Sequence, residues 1–259
     1  MSIHVKQDWW KTLFDEIYLI TDARSVCDEK ITHREVDLIC EFLDIQREQK
    51  ILDLCGGQGR HTLELYARGF INCTLLDYSS CLLNKAKESA RERNFCIEMI
   101  QADARNTELP SGSFDHVCIL GNSLGYISDS NADSLIVAEA KRLLRRGGKL
   151  LIDVADGEYV RKSFNPVAWH EIGADTVVCR QRELHEEFLR AREMVLSKES
   201  GLVRDENYSI RLYEKNSIRT LLDQAGFQGI KIHKNFSVNM LKGDYGFMNN
   251  RMISTSVKE

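Results

Sequence analysis

No apolar run in this chain approaches the roughly 20 residues that a membrane-spanning helix needs, and the first residues lack the basic-then-apolar form of a secretory leader. Neither a membrane span nor export is expected, so the cytoplasm is the expected compartment. None of the eight cysteines, at 27, 40, 55, 73, 81, 96, 118 and 179, forms a C-x-x-C pair. That spacing excludes the common zinc and dithiol motifs, and the residues read as reduced thiols of buried elements. An excess of one charge is missing too: 35 Lys and Arg stand against 39 Asp and Glu, a net charge of −4, with the basic residues scattered. Such a surface gives no footprint for nucleic acid or an anionic membrane. Repeats and low-complexity tracts are also absent. What remains is a 259-residue chain, 43% hydrophobic, which suits one globular unit with a sizeable core.

The most informative segment is Lys50-Ile51-Leu52-Asp53-Leu54-Cys55-Gly56-Gly57-Gln58-Gly59-Arg60-His61. Ile51 to Cys55 is a short apolar run ended by glycines, and the residues from Thr62 repeat their apolar members at helical spacing. The order is strand, tight turn, helix. Gly56, Gly57 and Gly59 permit a sharp bend and a close ligand approach to the free N–H groups that open a helix, where an anionic group is favoured. A glycine turn alone is weak, and its surroundings must decide.

Cys73 to Leu76 reads as a second strand ending at Asp77, near the interval at which an acidic side chain meets a ribose diol. Tyr78 would then cover an adenine face. A third strand, Phe95–Ile100, leads into Gln101-Ala102-Asp103-Ala104, and a fourth, Phe114–Leu120, opens into Gly121-Asn122-Ser123-Leu124-Gly125-Tyr126. Ligands of open α/β sheets bind at these carboxyl ends. A nicotinamide dehydrogenase is the rival reading, but its fingerprint wants a third glycine where Thr62 stands.

Trp9, Trp10, Leu13, Phe14 and Ile17 recur at helical spacing and predict an amphipathic N-terminal helix. Thr32 with Glu35 predicts a capping box for a second helix. A third runs to Asn94, and a fourth spans Ala132 to Leu144, stopped by Gly147 and Gly148. Lys149–Val154 is the fifth strand. From about Asp156 to Tyr213 the pattern changes to short antiparallel strands at 176–180, 193–197 and 209–213, with 198–201 as a hairpin turn. The expected fold is α/β: a Rossmann-like, seven-stranded, mostly parallel sheet with an antiparallel last strand. The small antiparallel insertion is placed as a lid. The expected parts are N-terminal helices over the site at 1–48, a core at 49–155 and 214–259, and the insertion at 156–213.

The segments DLCGGQG (53–59), LLDYS (75–79), QADARN (101–106), FDHVCILGNSLGYI (114–127) and AKRLLRRGGKLLIDVAD (140–156), in that order and spacing, resemble the class I S-adenosylmethionine-dependent methyltransferases. They cover about the central half of the chain. Cys55 departs from the pattern, standing where many members carry a first glycine. The resemblance implies S-adenosyl-L-methionine as cofactor, with S-adenosyl-L-homocysteine as product. It places Asp53, Cys55, Gly56, Gly57 and Gly59 around the amino-acid end of the cofactor and Asp77 and Tyr78 at the ribose and adenine. Asp103 would take the adenine amine, the Ala104 N–H would reach a ring nitrogen, and Leu120 and Gly121 would edge the pocket. Asp53 or Asp103 could instead only cap a helix or turn, but set among all the matching segments the ligand role is the better reading.

Methyl transfer from a sulfonium requires alignment and exclusion of water more than acid–base machinery. Asn122 and Tyr126 are candidates to position the acceptor; from the insertion, His170, Arg211 and Tyr213 are candidates for a general base or an anion clamp. No Asn/Asp-Pro-Pro-Tyr motif follows the fourth strand, neither Pro110 nor Pro166 adjoins a cysteine, and the paired glutamates of arginine methyltransferases are missing. A small molecule accepting methyl on N, O, C or S is therefore expected. Asp153 and Asp156 invite a metal reading, but no third ligand is evident and no metal is expected. A non-catalytic S-adenosylmethionine-binding subunit stays open as the alternative, and the oligomeric state, a homodimer included, stays open as well.

Overall fold

The computed structural model describes residues 2–22, 27–129, 131–236 and 250–259. Its central sheet contains β1 (Ile51–Leu54), β2 (Cys73–Asp77), β3 (Glu98–Gln101), β4 (Phe114–Ile119), β5 (Leu144–Ala155), β10 (Gln228–Phe236) and β11 (Arg251–Val257). The order is β10-β11-β5-β4-β1-β2-β3. β1, β2, β3, β4 and β5 pair in parallel, and β11 runs antiparallel to both β5 and β10. The order reverses between β1 and β4, which creates the crevice where such sheets bind ligands.

Every residue of β1 is buried, because helices cover both faces of the sheet. On one face, Val36, Ile39 and Leu43 of α3 (Glu29–Leu43) meet Ile51, Cys118 and Leu151. On the other, Ile136, Val137 and Ala140 of α6 (Ala132–Leu143), with Ile218 and Leu222 of α8 (Lys215–Gln224), meet Leu52, Leu54, Val117 and Ile152. The strand period of two sends alternate side chains to the two cores. Two further helices, α4 (Arg60–Ala67) and α5 (Ser80–Glu92), follow β1 and β2.

Several expectations change. The N-terminal helix is two short ones, α1 (Trp10–Leu13) and α2 (Glu16–Thr21), because Asp15 turns extended and its carboxylate accepts the N–H groups of Ile17 and Tyr18. The second helix starts earlier, capped by Asp28, whose side chain accepts the Ile31 N–H. Thr32 therefore lies inside it, and Glu35 is free for another task. Gly147 and Gly148 do not stop a helix but lie within β5. Cys27 and Cys96 are surface thiols rather than core ones.

The insertion opens with α7 (Gly157–Lys162) and builds four strands instead of three: β6 (Val167–Ile172), β7 (Thr176–Leu184), β8 (Phe188–Ser197) and β9 (Gly201–Arg211). They form a second, antiparallel sheet in chain order. Leu189 and Ala191 of β8 and Tyr208 and Ile210 of β9 share a core with Trp9, Leu13, Ala155 and Val160. The small sheet is thereby joined to both the N-terminal helices and the end of β5. Among the described residues, no helix is long and apolar enough to cross a membrane.

Candidate active site

One cavity of about 200 Å³ lies at the carboxyl ends of β1, β2 and β4, roofed by the N-terminal helices and walled by the small sheet. Its floor is the turn after β1. Cys55 and Gly57 hold positive φ, 64° and 59°, and the turn is pinned by Asp77, whose Oδ2 accepts the Gly57 N–H at 2.8 Å while Oδ1 accepts the Ser79 N–H at 2.8 Å. Burial pushes the Asp77 carboxyl up to about 6, offset in part by the Ser79 and Gly57 N–H groups. A carboxylate offers about four lone-pair sites, so one that faces a cavity with these N–H bonds made keeps acceptor capacity for a diol.

Asp53 lies beneath the floor and does not line the cavity. Its Oδ2 accepts the Thr62 hydroxyl at 2.7 Å, so it fastens the first turn of α4, whose N-cap Gly59 has no side chain to do so. Gly59 also lies outside the lining. Its φ is +73°, and a Cβ there would stand 2.8 Å from Leu75 Cδ2, so it serves the packing of the turn. Cys55, Gly56, Gly57, Asp77, Tyr78, Asp103, Ala104, Leu120 and Gly121 do line the cavity. Asp103 is already engaged: Arg105 binds its carboxylate at 2.6 Å and, with its own backbone N–H, lowers the Asp103 pKa. Arg105 stacks over Trp10, 5.4 Å from the ring centroid, and Trp10 meets Tyr78 edge-on at 4.8 Å. This end of the cavity is thus closed by aromatic and guanidinium planes.

Asn122 and Tyr126 also line the cavity. Asn122 holds φ +64°; its Oδ1 accepts the Ala155 N–H at 2.9 Å, tying the ends of β4 and β5, and its side chain also bonds Tyr126. Tyr126 is set between Trp9 and Phe14, with centroids at 5.7 and 5.2 Å. Burial raises its pKa, which suits a positioning hydroxyl rather than a base.

His170, Arg211 and Tyr213 do not reach the cavity. His170 lies on β6, an edge strand of the small sheet that contributes no lining residue, while the lining comes from β7, β8 and β9. Arg211 and Tyr213 converge instead on Asp133: the Tyr213 hydroxyl donates to Oδ2 at 2.6 Å, Arg211 Nε at 3.1 Å, and the Gly125 N–H meets Oδ1 at 3.1 Å. They brace the loop that carries Asn122 and Tyr126. Asp153 and Asp156 are likewise committed elsewhere. Asp153 accepts the Gly121 N–H and pairs with Arg251, whereas Asp156 caps α7 and pairs with Lys234.

Sequence reasoning missed the charged part of the wall. Arg180 and Arg182 of β7, Glu193 of β8 and Arg204 of β9 are all buried and line the cavity. Their signal was present, since charges at alternate positions of a strand share one face. Also missed was a buried knot beside the turn, where Glu35 pairs with Arg60, with His61 Nε2 at 2.7 Å and with Arg251 at 2.5 Å. Burial alone would raise the Glu35 pKa, yet Arg251, Arg60 and His61 hold it well below the usual carboxylate range.

Residues 51–148 match the family model described as a methyltransferase domain. A glycine/sarcosine N-methyltransferase of Parasynechococcus marenigrum (strain WH8102) is 31% identical over 121 residues, 46% of this chain and 42% of that protein. The putative methyltransferase YqeM of Bacillus subtilis (strain 168) is 31% identical over 132 residues, 50% of this chain and 53% of that one. The chain spans about half the length of these curated relatives. A solved S-adenosylmethionine-dependent methyltransferase of Clostridium acetobutylicum ATCC 824 shares the fold over 93% of this chain and 96% of its own, with a TM-score of 0.73 at 18% identity. The glycine turn pinned by Asp77, the strand order and these likenesses agree: residues 51–148 match a methyltransferase domain, and the chain has the fold of the solved S-adenosylmethionine-dependent methyltransferase.

Proposed function

We propose that this chain transfers the methyl group of S-adenosylmethionine to a small-molecule acceptor. The observation that carries this reading is the cavity that joins Asp77 and the glycine turn to Asn122, Tyr126 and the charged wall of the small sheet. In this reading, residues 49–155 and 214–259 hold the cofactor, residues 1–48 cover it, and residues 156–213 recognise the acceptor. A relative named for methylating glycine and sarcosine supports a small acceptor.

When bound, S-adenosylmethionine supplies a methyl carbon that an acceptor lone pair attacks as the carbon–sulfur bond breaks and its electrons stay with sulfur. The chain's own residues provide binding and alignment. Asp77 accepts the ribose hydroxyls, and Gly56 and Gly57 let the backbone approach. The open N–H groups of α4, with Arg60 beside them, face the carboxylate end. Tyr78 and Trp10 cover the adenine, with Ala104 and Asp103 at its edge. Asn122 and Tyr126 set the acceptor against the loop after β4, and Trp9, Phe14 and Tyr18 exclude water. The test combines calorimetric titration of S-adenosylhomocysteine with transfer of labelled methyl to a metabolite extract. Saturable binding and a labelled small product are expected. Failure of a folded protein to bind refutes the reading, and binding without transfer reduces it to a cofactor-holding subunit.

A further inference from the structure

The inner face of the small sheet carries an arrangement that closure of the cavity does not require. Val178, Leu189, Ala191 and Val195 are buried side chains of the kind that would seal it without ions. Among them stand Arg180, Arg182, Arg204 and a single acid, Glu193, none more than 8% exposed. Taking four ionised groups out of water is costly unless something gathers them. Glu193 bridges two of the arginines, with Arg180 at 2.7 Å and Arg204 at 3.6 Å. The other acids that balance them, Asp22 on Arg180 and Asp15 on Arg204, come from the N-terminal segment, and their side chains are 32% and 39% exposed. The positive charges are therefore buried deeper than much of their compensation.

One buried donor in the same lining, the Trp9 indole Nε1, has no hydrogen-bond acceptor among the described residues, and a second, Arg204 Nη1, meets the Glu193 carboxylate at 3.6 Å, beyond hydrogen-bond distance. Trp9 packs on this sheet through Tyr208, at 5.8 Å between ring centroids. Buried donors are nearly always satisfied, and neither an indole N–H nor a guanidinium can accept a hydrogen bond. What they lack is an acceptor oxygen at hydrogen-bond distance.

Resting on the methyltransferase reading, we infer that the methyl acceptor carries a carboxylate or phosphate group, held against the small sheet by Arg182 and Arg204 with the Trp9 N–H. The anionic group anchors the acceptor at the wall, while its nucleophilic atom lies toward Asn122 and Tyr126.

The test uses the whole chain with labelled S-adenosylmethionine and a metabolite extract divided on a strong anion exchanger at strongly alkaline pH, where amino acids too carry net negative charge. Acids are retained, while amines and neutral molecules pass through. Acceptor activity is expected in the retained fraction. On that fraction, Arg182→Gln should lower kcat/KM about tenfold, through KM, by removing one charge from a buried site. S-adenosylhomocysteine affinity should stay at the wild-type value, and Arg182→Lys should restore part of the loss. Arg182 is the arginine to change because Arg180, Glu193 and Arg204 keep one another when it is replaced. Trp9→Phe, which removes the N–H and keeps an aromatic ring, should raise KM in the same direction. Activity confined to the unretained fraction, or an Arg182→Gln variant with unchanged KM, overturns the anionic group and leaves the methyltransferase reading standing. Transfer to no fraction at all overturns that reading and this inference with it.

Discussion

Replacing Asp77 with Asn keeps the shape of the side chain and removes one of its two acceptor oxygens. In the structure those oxygens serve two donors, the Gly57 and Ser79 N–H groups, each at 2.8 Å. Asn can satisfy only one, so an N–H at the end of β1 or β2 loses its partner, at about 1–3 kcal/mol. The ribose diol also loses hydrogen bonds to a charged acceptor, each about 1.5–3 kcal/mol. S-adenosylhomocysteine should bind roughly 10- to 100-fold more weakly, since about 1.4 kcal/mol is tenfold.

Acidity gives a sharper version of the same experiment. Burial raises the Asp77 carboxyl to about 6, and the diol needs the ionised form as acceptor. The ligand therefore competes with a proton, and affinity falls as pH drops through that value, by roughly tenfold one unit below it. The sign for the free protein is the opposite. A raised carboxyl pKa stabilises the fold most below the unfolded value near ~4, and that contribution is lost as pH rises through about 6. Calorimetric titrations between mildly acidic and neutral pH should show this slope in the wild type and none in Asp77→Asn. A wild-type Kd that ignores pH, or an Asn variant that binds as tightly as the wild type, would refute the role of Asp77.

Gly56→Ala places a Cβ 2.4 Å from Leu75 Cδ1 and 2.6 Å from the Asp53 carboxylate. Overpacking of this kind costs about 1–3 kcal/mol, and thermal melts should fall by several degrees; an unchanged melt would show that the turn can shift. Glu35→Gln removes the charge at the centre of Arg60, His61 and Arg251, and breaking a buried pair costs about 3–5 kcal/mol. A denaturant midpoint within error of the wild type would contradict this. Tyr213→Phe removes the 2.6 Å hydrogen bond to Asp133, a loss of about 1.5–3 kcal/mol in stability, while the S-adenosylhomocysteine Kd stays unchanged. A tenfold weaker Kd would mean that Tyr213 acts at the cofactor after all.

The cofactor half was legible because its geometry is local. The turn from Asp53 to Gly59 follows directly on β1, and Asp77 ends the next strand. Apolar runs closed by glycines and acids report such places from a few adjacent residues. Even here the roles of single carboxylates were less legible than their positions. Asp53 and Asp77 read alike in sequence, yet one fastens Thr62 under the floor and the other faces the cavity. Asp103 likewise reads as a free ligand group, while Arg105, two residues on, already holds it. The N-terminal helix was misjudged for a related reason: apolar spacing ran through Asp15, whose carboxylate stops one helix and caps the next.

The acceptor half is written differently. Arg180 meets Asp22 across 158 residues and Arg204 meets Asp15 across 189, so no local window contains both partners of either pair. A charge in a strand of a small insertion ordinarily signals a solvated face, and only the second sheet, folded over the first, turns these charges inward. The same distance explains why the sequence points to His170, Arg211 and Tyr213 and not to Arg182 and Arg204. Residue type would allow chemistry at all five, but sheet register decides which of them face the cavity. Asp133 shows the other side of this selection, for by collecting Arg211 and Tyr213 it turns two apparent anion binders into a brace for the loop of Asn122 and Tyr126. A donor site made of backbone geometry can thus be conserved in form by short segments. The proposed recognition wall of buried charge depends on partners from two separate parts of the chain, the N-terminal segment and the small sheet, and replacing Asp15 or Asp22 should disturb acceptor KM while leaving the Asp77 turn untouched.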